Sequence, residues 1–395
     1  MKPVATIIFG AGVVGEATLY ACRAKGIPVG CFVDDRIRGP LLGVEVIGTL
    51  ELAERYETGV FLLSSPNIAD MIMPLEALGY ENWQSCGEVL NGFDVSGIEF
   101  LSINGSNEAS RYSVEHVKYL IRTCLHHHDN YLHPERLTVQ SIDLIVTEAC
   151  SMRCRDCSNL AQYYEKPENS DINEMFETID SICSKMDEVY EFRVIGGEPL
   201  VNKEVHLVVE KLTSKANVQK VSIFTNATIL PREHQWNAFE HSKVRFFITE
   251  YAQSRKHKEL IAELKKRNIQ FATETANGWT DCAALDVHNR TDEANAAIFT
   301  ACCAKNLATL HDGNLFRCPF SANAHKLQAV PDYTEDYLVV AKADSEQIRA
   351  FLRDKPFIHA CDFCNGHSYG APVIIPAIQT KTPLRYFKYE KRETV

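Results

Sequence analysis

No stretch of this chain reaches the roughly eighteen uninterrupted apolar residues that a membrane-crossing helix needs, so no membrane span is expected. Positive charge is also short. Lys and Arg number 41 against 52 Asp and Glu, a formal net charge of -11, whereas nucleic-acid binding requires a concentrated basic face. A nucleic-acid partner is therefore not expected. The apolar start from Met1 to Gly15 has no cleavage-like site and runs into a glycine fingerprint, so it does not read as a signal peptide. Cysteine, by contrast, is plentiful. Fourteen cysteines spread over a long α/β-like chain of 395 residues fit a reducing, cytoplasmic setting better than a disulfide scaffold. At 45% hydrophobic residues the chain can fill two or three domains.

The opening alternates strand, turn, helix and strand: Ala5 to Phe9, then Gly10-Ala11-Gly12-Val13-Val14-Gly15, a helix to about Lys25, and Val29 to Val33 ending at Asp34-Asp35. That is a Rossmann signature in context, with glycines for a tight turn and an acid placed to reach a ribose. The pattern fades by about residue 105, so NAD or another nucleotide at Gly10–Gly15 is only a secondary expectation. The stretches Val29 to Asp35 and Gly43 to Gly48 resemble the small Rossmann-like domains of bacterial sugar-nucleotide and glycan-modifying proteins. Further on, His126-His127-His128 reads as part of a solvated linker, because three adjacent side chains on a helix point in different directions and cannot converge on one ion.

From Ile142 onward apolar strands and amphipathic helices alternate, which forces parallel strands with helices outside. At the end of the first of these strands stand Cys150, Cys154 and Cys157, a C-x3-C-x2-C triplet. Three close thiolates can hold three irons of a 4Fe-4S cluster and leave the fourth iron open. Structural zinc is a poorer match, since it wants a closed tetrahedral set. The triplet resembles that of the radical S-adenosylmethionine (SAM) enzymes, although Asp156 stands where that family usually has an aromatic residue.

Gly196-Gly197-Glu198-Pro199, after the next strand, resembles the family's GGEP motif, which implies that Glu198 accepts a hydrogen bond from the SAM ammonium group. Thr225-Asn226 resembles its Thr-Asn-Gly motif with Ala227 replacing the glycine. Thr249, Glu250 and Ser254 follow at the next strand end and are candidates for SAM or substrate contacts. Tyr251 and His311 are candidate catalytic groups that could supply a proton or hydrogen atom.

A second cysteine group lies toward the C-terminal end: Cys302-Cys303, a hairpin signal at Asp312-Gly313, Cys318, then Cys361 and Cys364. Gly313-x4-Cys318 resembles the hallmark of the twitch domain, the short form of the SPASM domain, which implies an auxiliary 4Fe-4S cluster held by Cys303, Cys318, Cys361 and Cys364. Cys303 is favoured over Cys302. A four-cysteine zinc site is the alternative. Cys22, Cys31, Cys86, Cys124, Cys183 and Cys282 read as buried small residues.

The expected fold class is α/β: a truncated Rossmann-like domain (1–105), a linker or helix (106–138), a partial (β/α)6 TIM barrel (139–300), and a small C-terminal β-hairpin/helix cluster domain (301–395). The resemblance implies cleavage of SAM to a 5'-deoxyadenosyl radical, with flavodoxin or ferredoxin as electron donor. Oxidation of a sugar or nucleotide-sugar comes first among the reactions; epimerisation, deoxygenation and peptide maturation are alternatives. A non-catalytic iron-sulfur or zinc nucleotide-binding sensor is the reading from another class.

Overall fold

The computed structural model describes residues 5–101, 114–368 and 371–390; the side chains of residues 115, 116, 303 and 304 also lie outside the described set. Two compact units form, 1–136 and 137–395.

The first unit is built from β1 (Ala5–Phe9), α1 (Val13–Ala24), β2 (Val29–Val33), β3 (Val46–Ile47), α2 (Thr49–Arg55), β4 (Gly59–Leu63), α3 (Ile68–Ala77), β5 (Trp83–Ser85), α4 (Gly87–Leu90) and α5 (Val114–Leu132). Its sheet runs in the order β3-β2-β1-β4-β5 with every pairing parallel. Such strands are covered on both faces, which is why Ile7-Ile8-Phe9 and Phe61-Leu62-Leu63 read as unbroken apolar runs. Leu52, Met71, Ile72 and Leu75 cover one face. On the other, Val117 and Cys124 of α5 pack with Ala17, Ala21 and Val89.

Helix α5 corrects the linker expectation. His127 is 6% and His128 1% exposed, so the histidine run belongs to a packed helix, not a solvated connection. The expected boundary near residue 105 lies in 102–113, outside the described residues.

The second unit comprises β6 (Thr138–Ile145), α6 (Ile172–Lys185), β7 (Glu188–Ile195), α7 (Val205–Thr213), β8 (Val218–Thr225), α8 (Trp236–Phe239), β9 (Val244–Glu250), α9 (His257–Lys266), β10 (Gln270–Thr275), β11 (Trp279–Thr280), α10 (Asp292–Ala301), β12 (Leu307–His311), β13 (Asn314–Phe316), α11 (Pro319–Lys326), β14 (Tyr337–Val339), α12 (Ser345–Arg353) and β15 (Val373–Ile374). One sheet runs β10-β9-β8-β7-β6-β12-β13-β14. The stretch from β10 to β12 is parallel, giving a six-stranded β/α wall, and β13 and β14 extend it antiparallel. The hairpin strands thus continue the same sheet as β6–β10, while the sequence suggested a small domain from residue 301.

Ile142, Leu144, Phe192, Val194, Val221 and Phe246 pack with Ile179 and Val208 into the core beneath the helices. Helix α6 begins where the Asp171 carboxylate accepts from the backbone N–H groups of Asn173 and Glu174, both 2.9 Å. Alternation turns the intervening strand residues to the opposite face. There Thr309, Asp143, Arg193, Ser222 and Arg245 form one in-register row across β12, β6, β7, β8 and β9.

Candidate active site

The cysteine loop leaves the end of β6 and is held by its own backbone. Thr147 donates to Asn169 (2.7 Å), the Ala149 N–H donates to Thr147 Oγ1 (3.1 Å), and Glu148 exchanges bonds with Glu168. A strand-like segment from the far end of the chain completes it. Arg155 N–H donates to the Ile378 carbonyl (2.7 Å), Thr380 N–H to the Arg153 carbonyl (2.8 Å), and Gln379 Nε2 to the Cys154 sulfur (3.1 Å). Each sulfur of the triplet receives N–H donors: Met152 N–H donates to Cys150 (3.4 Å), and the backbone N–H groups of Asn159 and Ala161 donate to Cys157.

Burial raises all three thiols, that of Cys154 to about 11. These desolvated sulfurs accept from N–H donors, and the positive charge of a metal cluster would stabilise them as thiolates. The residues therefore fit an iron-sulfur group. An aromatic pair covers the loop: Tyr251 and Trp279, ring centroids 5.7 Å apart, pack against Cys150, Cys154 and Cys157. This pair places aromatic rings beside the loop although Asp156 stands within it, and nothing in the local pattern marked Trp279.

At the end of β7 the glycines allow a close backbone approach. A Cβ on Gly196, whose φ is +151°, would stand 2.1 Å from the Thr147 carbonyl oxygen; one on Gly197 would stand 2.3 Å from that of Ala149. The missing side chains let this turn dock on the cysteine loop, where Gly197 and Glu198 N–H donate to Thr147 and Ala149 (2.8 and 2.9 Å). Pro199, buried, opens the short helical turn that follows.

Glu198 is 1% exposed. Its carboxylate accepts from Leu200 N–H (3.2 Å), Thr225 Oγ1 (2.8 Å) and Asn226 N–H (2.8 Å). Burial outweighs these bonds and raises it to about 7. With about four acceptor positions on a carboxylate, one remains for an ammonium group. Asn226 reaches the cysteine loop directly, donating to Ser151 Oγ (3.2 Å) and to the Cys150 sulfur (3.7 Å).

Ser254 bridges two strand ends, donating to the Asn226 carbonyl (2.6 Å) and accepting from Tyr251 N–H (2.8 Å). Thr249 and Glu250 turn elsewhere: Thr249 donates to Glu274 (3.2 Å), and Glu250 faces His257 (3.3 Å). Of the two candidate catalytic groups only Tyr251 packs against the cysteine triplet. His311 is 4% exposed, and burial lowers it to about 4, leaving a neutral ring at ordinary pH and a poor proton source.

The second cysteine group converges as well. Cys318 caps α11, its sulfur accepting from Ser321 N–H (3.4 Å). Cys361 and Cys364 flank a turn gripped by Arg290, which donates to both their carbonyls (2.9 and 3.0 Å), while Asp362 accepts from the N–H of Arg290 (2.7 Å). Burial first, then mutual proximity with Cys302, raises Cys318, Cys361 and Cys364, the last two to about 12. Among the described residues Cys302 is the neighbour of these three; the side chain of the favoured Cys303 lies outside that set. Cys282 is also drawn in. Its carbonyl accepts from the Cys364 thiol (3.2 Å), and after burial its thiol is affected by Cys302 and Cys157. Three desolvated thiols, Cys318, Cys361 and Cys364, each in electrostatic reach of Cys302, fit a closed four-thiolate centre.

In the first unit, the acids after β2 are occupied by their own turn: Asp34 accepts from Ala11, Arg36 and Ile37 N–H, and Asp35 from Thr49.

The family model of the radical SAM superfamily matches residues 144–249. GTP 3',8-cyclase of Stenotrophomonas maltophilia (strain R551-3) is 29% identical over 92 residues, 22% of this chain and 27% of that protein, and the enzyme of strain K279a matches equally. The match thus spans about a quarter of the length of these curated relatives. Among solved structures, BtrN in complex with AdoMet and 2-DOIA gives a TM-score of 0.40 at 17% identity, over 58% of this chain and 93% of that one. SuiB of Streptococcus suis bound to S-adenosylmethionine gives 0.28 at 11%, over 53% and 67%. The matched family segment begins on β6, contains the cysteine triplet, the Gly196–Pro199 turn and Thr225-Asn226, and ends on β9. Residues 144–249 of this chain thus match the radical SAM superfamily model, cysteine triplet included.

Proposed function

We propose that this protein is a radical SAM enzyme that removes hydrogen from a carbohydrate or nucleotide-sugar and oxidises it, with a second 4Fe-4S cluster taking up an electron. The observation that carries the reading is the joining of three strand ends at one place: the Cys150–Cys157 loop, the Glu198 turn and Thr225-Asn226 are hydrogen-bonded to one another. When bound, a reduced cluster and SAM supply a 5'-deoxyadenosyl radical. Cys150, Cys154 and Cys157 would hold three irons, Glu198 would accept from the SAM ammonium, and Tyr251 with Trp279 would keep water from the radical.

The polar row Thr309, Asp143, Arg193, Ser222 and Arg245 supports a hydroxyl-rich substrate, since it turns donors and acceptors to the face opposite the helices. Cys302, Cys318, Cys361 and Cys364 would hold the auxiliary cluster; four thiolates leave no open iron, which suits electron uptake better than substrate binding. A flavodoxin or ferredoxin would supply the first electron. The GTP 3',8-cyclases align with this chain over only 92 residues, so GTP is not carried over as the substrate.

The test is iron and sulfide per chain after anaerobic reconstitution, with SAM cleavage under a strong reductant. About eight irons are expected, falling to about four in Cys150→Ala/Cys154→Ala/Cys157→Ala with loss of 5'-deoxyadenosine. Zinc in place of iron at these cysteines, without SAM cleavage, would overturn the reading in favour of a non-catalytic sensor.

Epimerisation is the second reading, favoured by Cys282. This buried thiol, raised to about 12, stands in the electrostatic reach of both Cys157 and Cys302 and is available to return a hydrogen atom to a substrate radical. Deuterium from heavy water at the reacting carbon would mark this outcome; its absence, with two-electron oxidised product, would mark the first.

A further inference from the structure

Among the described residues, outside the cysteines already discussed, one group of metal-ligating side chains closes on itself: Cys86, Cys124 and His128, all buried, with ligand atoms within 4.8 Å of one another. We propose that it is a zinc site that pins α5 to the sheet of the first unit. Cys124 and His128 stand one turn apart on α5, so their side chains share a face. Cys86 comes from the corner between β5 and α4. Its Sγ is 3.9 Å from that of Cys124, and the Cys124 sulfur is 3.5 Å from His128 Nε2.

Two of the three separations match the edges of a tetrahedron around one zinc ion, and the third, within 4.8 Å, closes with a small rotation of a side chain. Bonds of about 2.3 Å to sulfur and about 2.0 Å to nitrogen give edges of about 3.8 Å between sulfurs and about 3.5 Å between sulfur and nitrogen. Two thiolates and an imidazole are the donor set that zinc prefers, and softer donors of this kind exclude magnesium and calcium.

The outer partners are also in place. His128 Nδ1 lies 2.7 Å from Ser85 Oγ, which is itself fixed by Gly87 N–H (3.1 Å). Without an ion, Nε2–H donates to the Ser65 carbonyl at 2.7 Å. With zinc on Nε2 the ring proton belongs on Nδ1, where Ser85 Oγ accepts it, as ligating histidines require. The freed Ser65 carbonyl is the fourth donor at hand. Both thiols release their protons to solvent when the ion binds, so uptake is proton-coupled. The triad ties α5 to the β5–α4 corner, and the Ser65 carbonyl adds the segment that follows β4. Its place in the packed core argues for a closed structural site rather than a catalytic one.

The experiment uses the full-length, iron-reconstituted protein, washed with chelator, with zinc counted per chain and its first shell read by zinc-edge X-ray absorption. About one zinc per chain is expected, bound by two sulfurs at about 2.3 Å with lighter ligands at about 2.0 Å. It should survive Cys150→Ala/Cys154→Ala/Cys157→Ala and be lost in Cys124→Ser or His128→Phe. Should those variants fail to fold, the wild-type spectrum decides. An all-sulfur shell, zinc that persists without Cys124, no zinc at all, or a Cys86–Cys124 disulfide in its place would each overturn the proposal.

Discussion

At the scale of single residues, Ala227 shows what a departure from a motif entails. Its φ is +53° and it is fully buried, in the place where the resembling motif has glycine. Left-handed backbone costs a side-chain-bearing residue about 1–2 kcal/mol, whereas burying one methyl returns about 0.8 kcal/mol. Ala227→Gly is therefore expected to leave stability unchanged or raise it by up to about 1 kcal/mol, and Ala227→Val to lower it by at least about 1 kcal/mol; thermal unfolding of the two variants checks both.

Glu198 carries a pH prediction. Its carboxyl is raised from 4.5 to about 7, so between these values the folded chain keeps a proton that the unfolded chain has released, and this contribution to stability is lost as pH rises through the window. SAM binding has the opposite preference, because an ammonium group needs the carboxylate. Affinity for SAM should fall as pH drops below about 7, approaching tenfold per unit. Calorimetric titration at pH 6 and 8 reads this directly; equal affinity at the two values would remove Glu198 from the ammonium site.

At the scale of elements, turns do the assembling. Gly197→Ala would place a methyl carbon on the Ala149 carbonyl and push the Gly196–Pro199 turn off the cysteine loop. Reconstituted iron should fall by about half, from one cluster, while the auxiliary centre keeps its share. Arg290→Ala should do the reverse, since Arg290 grips only the Cys361–Cys364 turn. Iron analysis with electron paramagnetic resonance of the remaining cluster distinguishes the two losses.

The strands and helices that flank these turns were legible in the sequence because their residues alternate or recur by rule: Ile172 to Met186 repeats at helical spacing, and Asp312-Gly313 announces its hairpin with φ values of +43° and +70°. Part of what was not legible was hidden by separation along the chain. Gln379 meets Cys154 across 225 positions, and Trp279 reaches Tyr251 from a two-residue strand. The polar row hid for another reason: Asp143, Arg193 and Ser222 are single interruptions of apolar strands and make a pattern only once five strands are set in register. His128 was discounted because its immediate neighbours diverge, yet its partner is four residues back at Cys124.

At the scale of the whole molecule, the cysteine-bearing hairpin is part of the catalytic sheet. β12 pairs directly with β6, Leu307 opposite Ser141 through Leu310 opposite Leu144, and β6 is the strand whose end feeds the cysteine triplet. Removing the residues after 300 would therefore not release a smaller working unit. It would strip β6 of a neighbour along four residues and leave a buried, apolar strand with its N–H and C=O groups open on one side. Such an edge recruits other strands, so the shortened chain should accumulate as insoluble aggregate rather than as a soluble protein with one cluster.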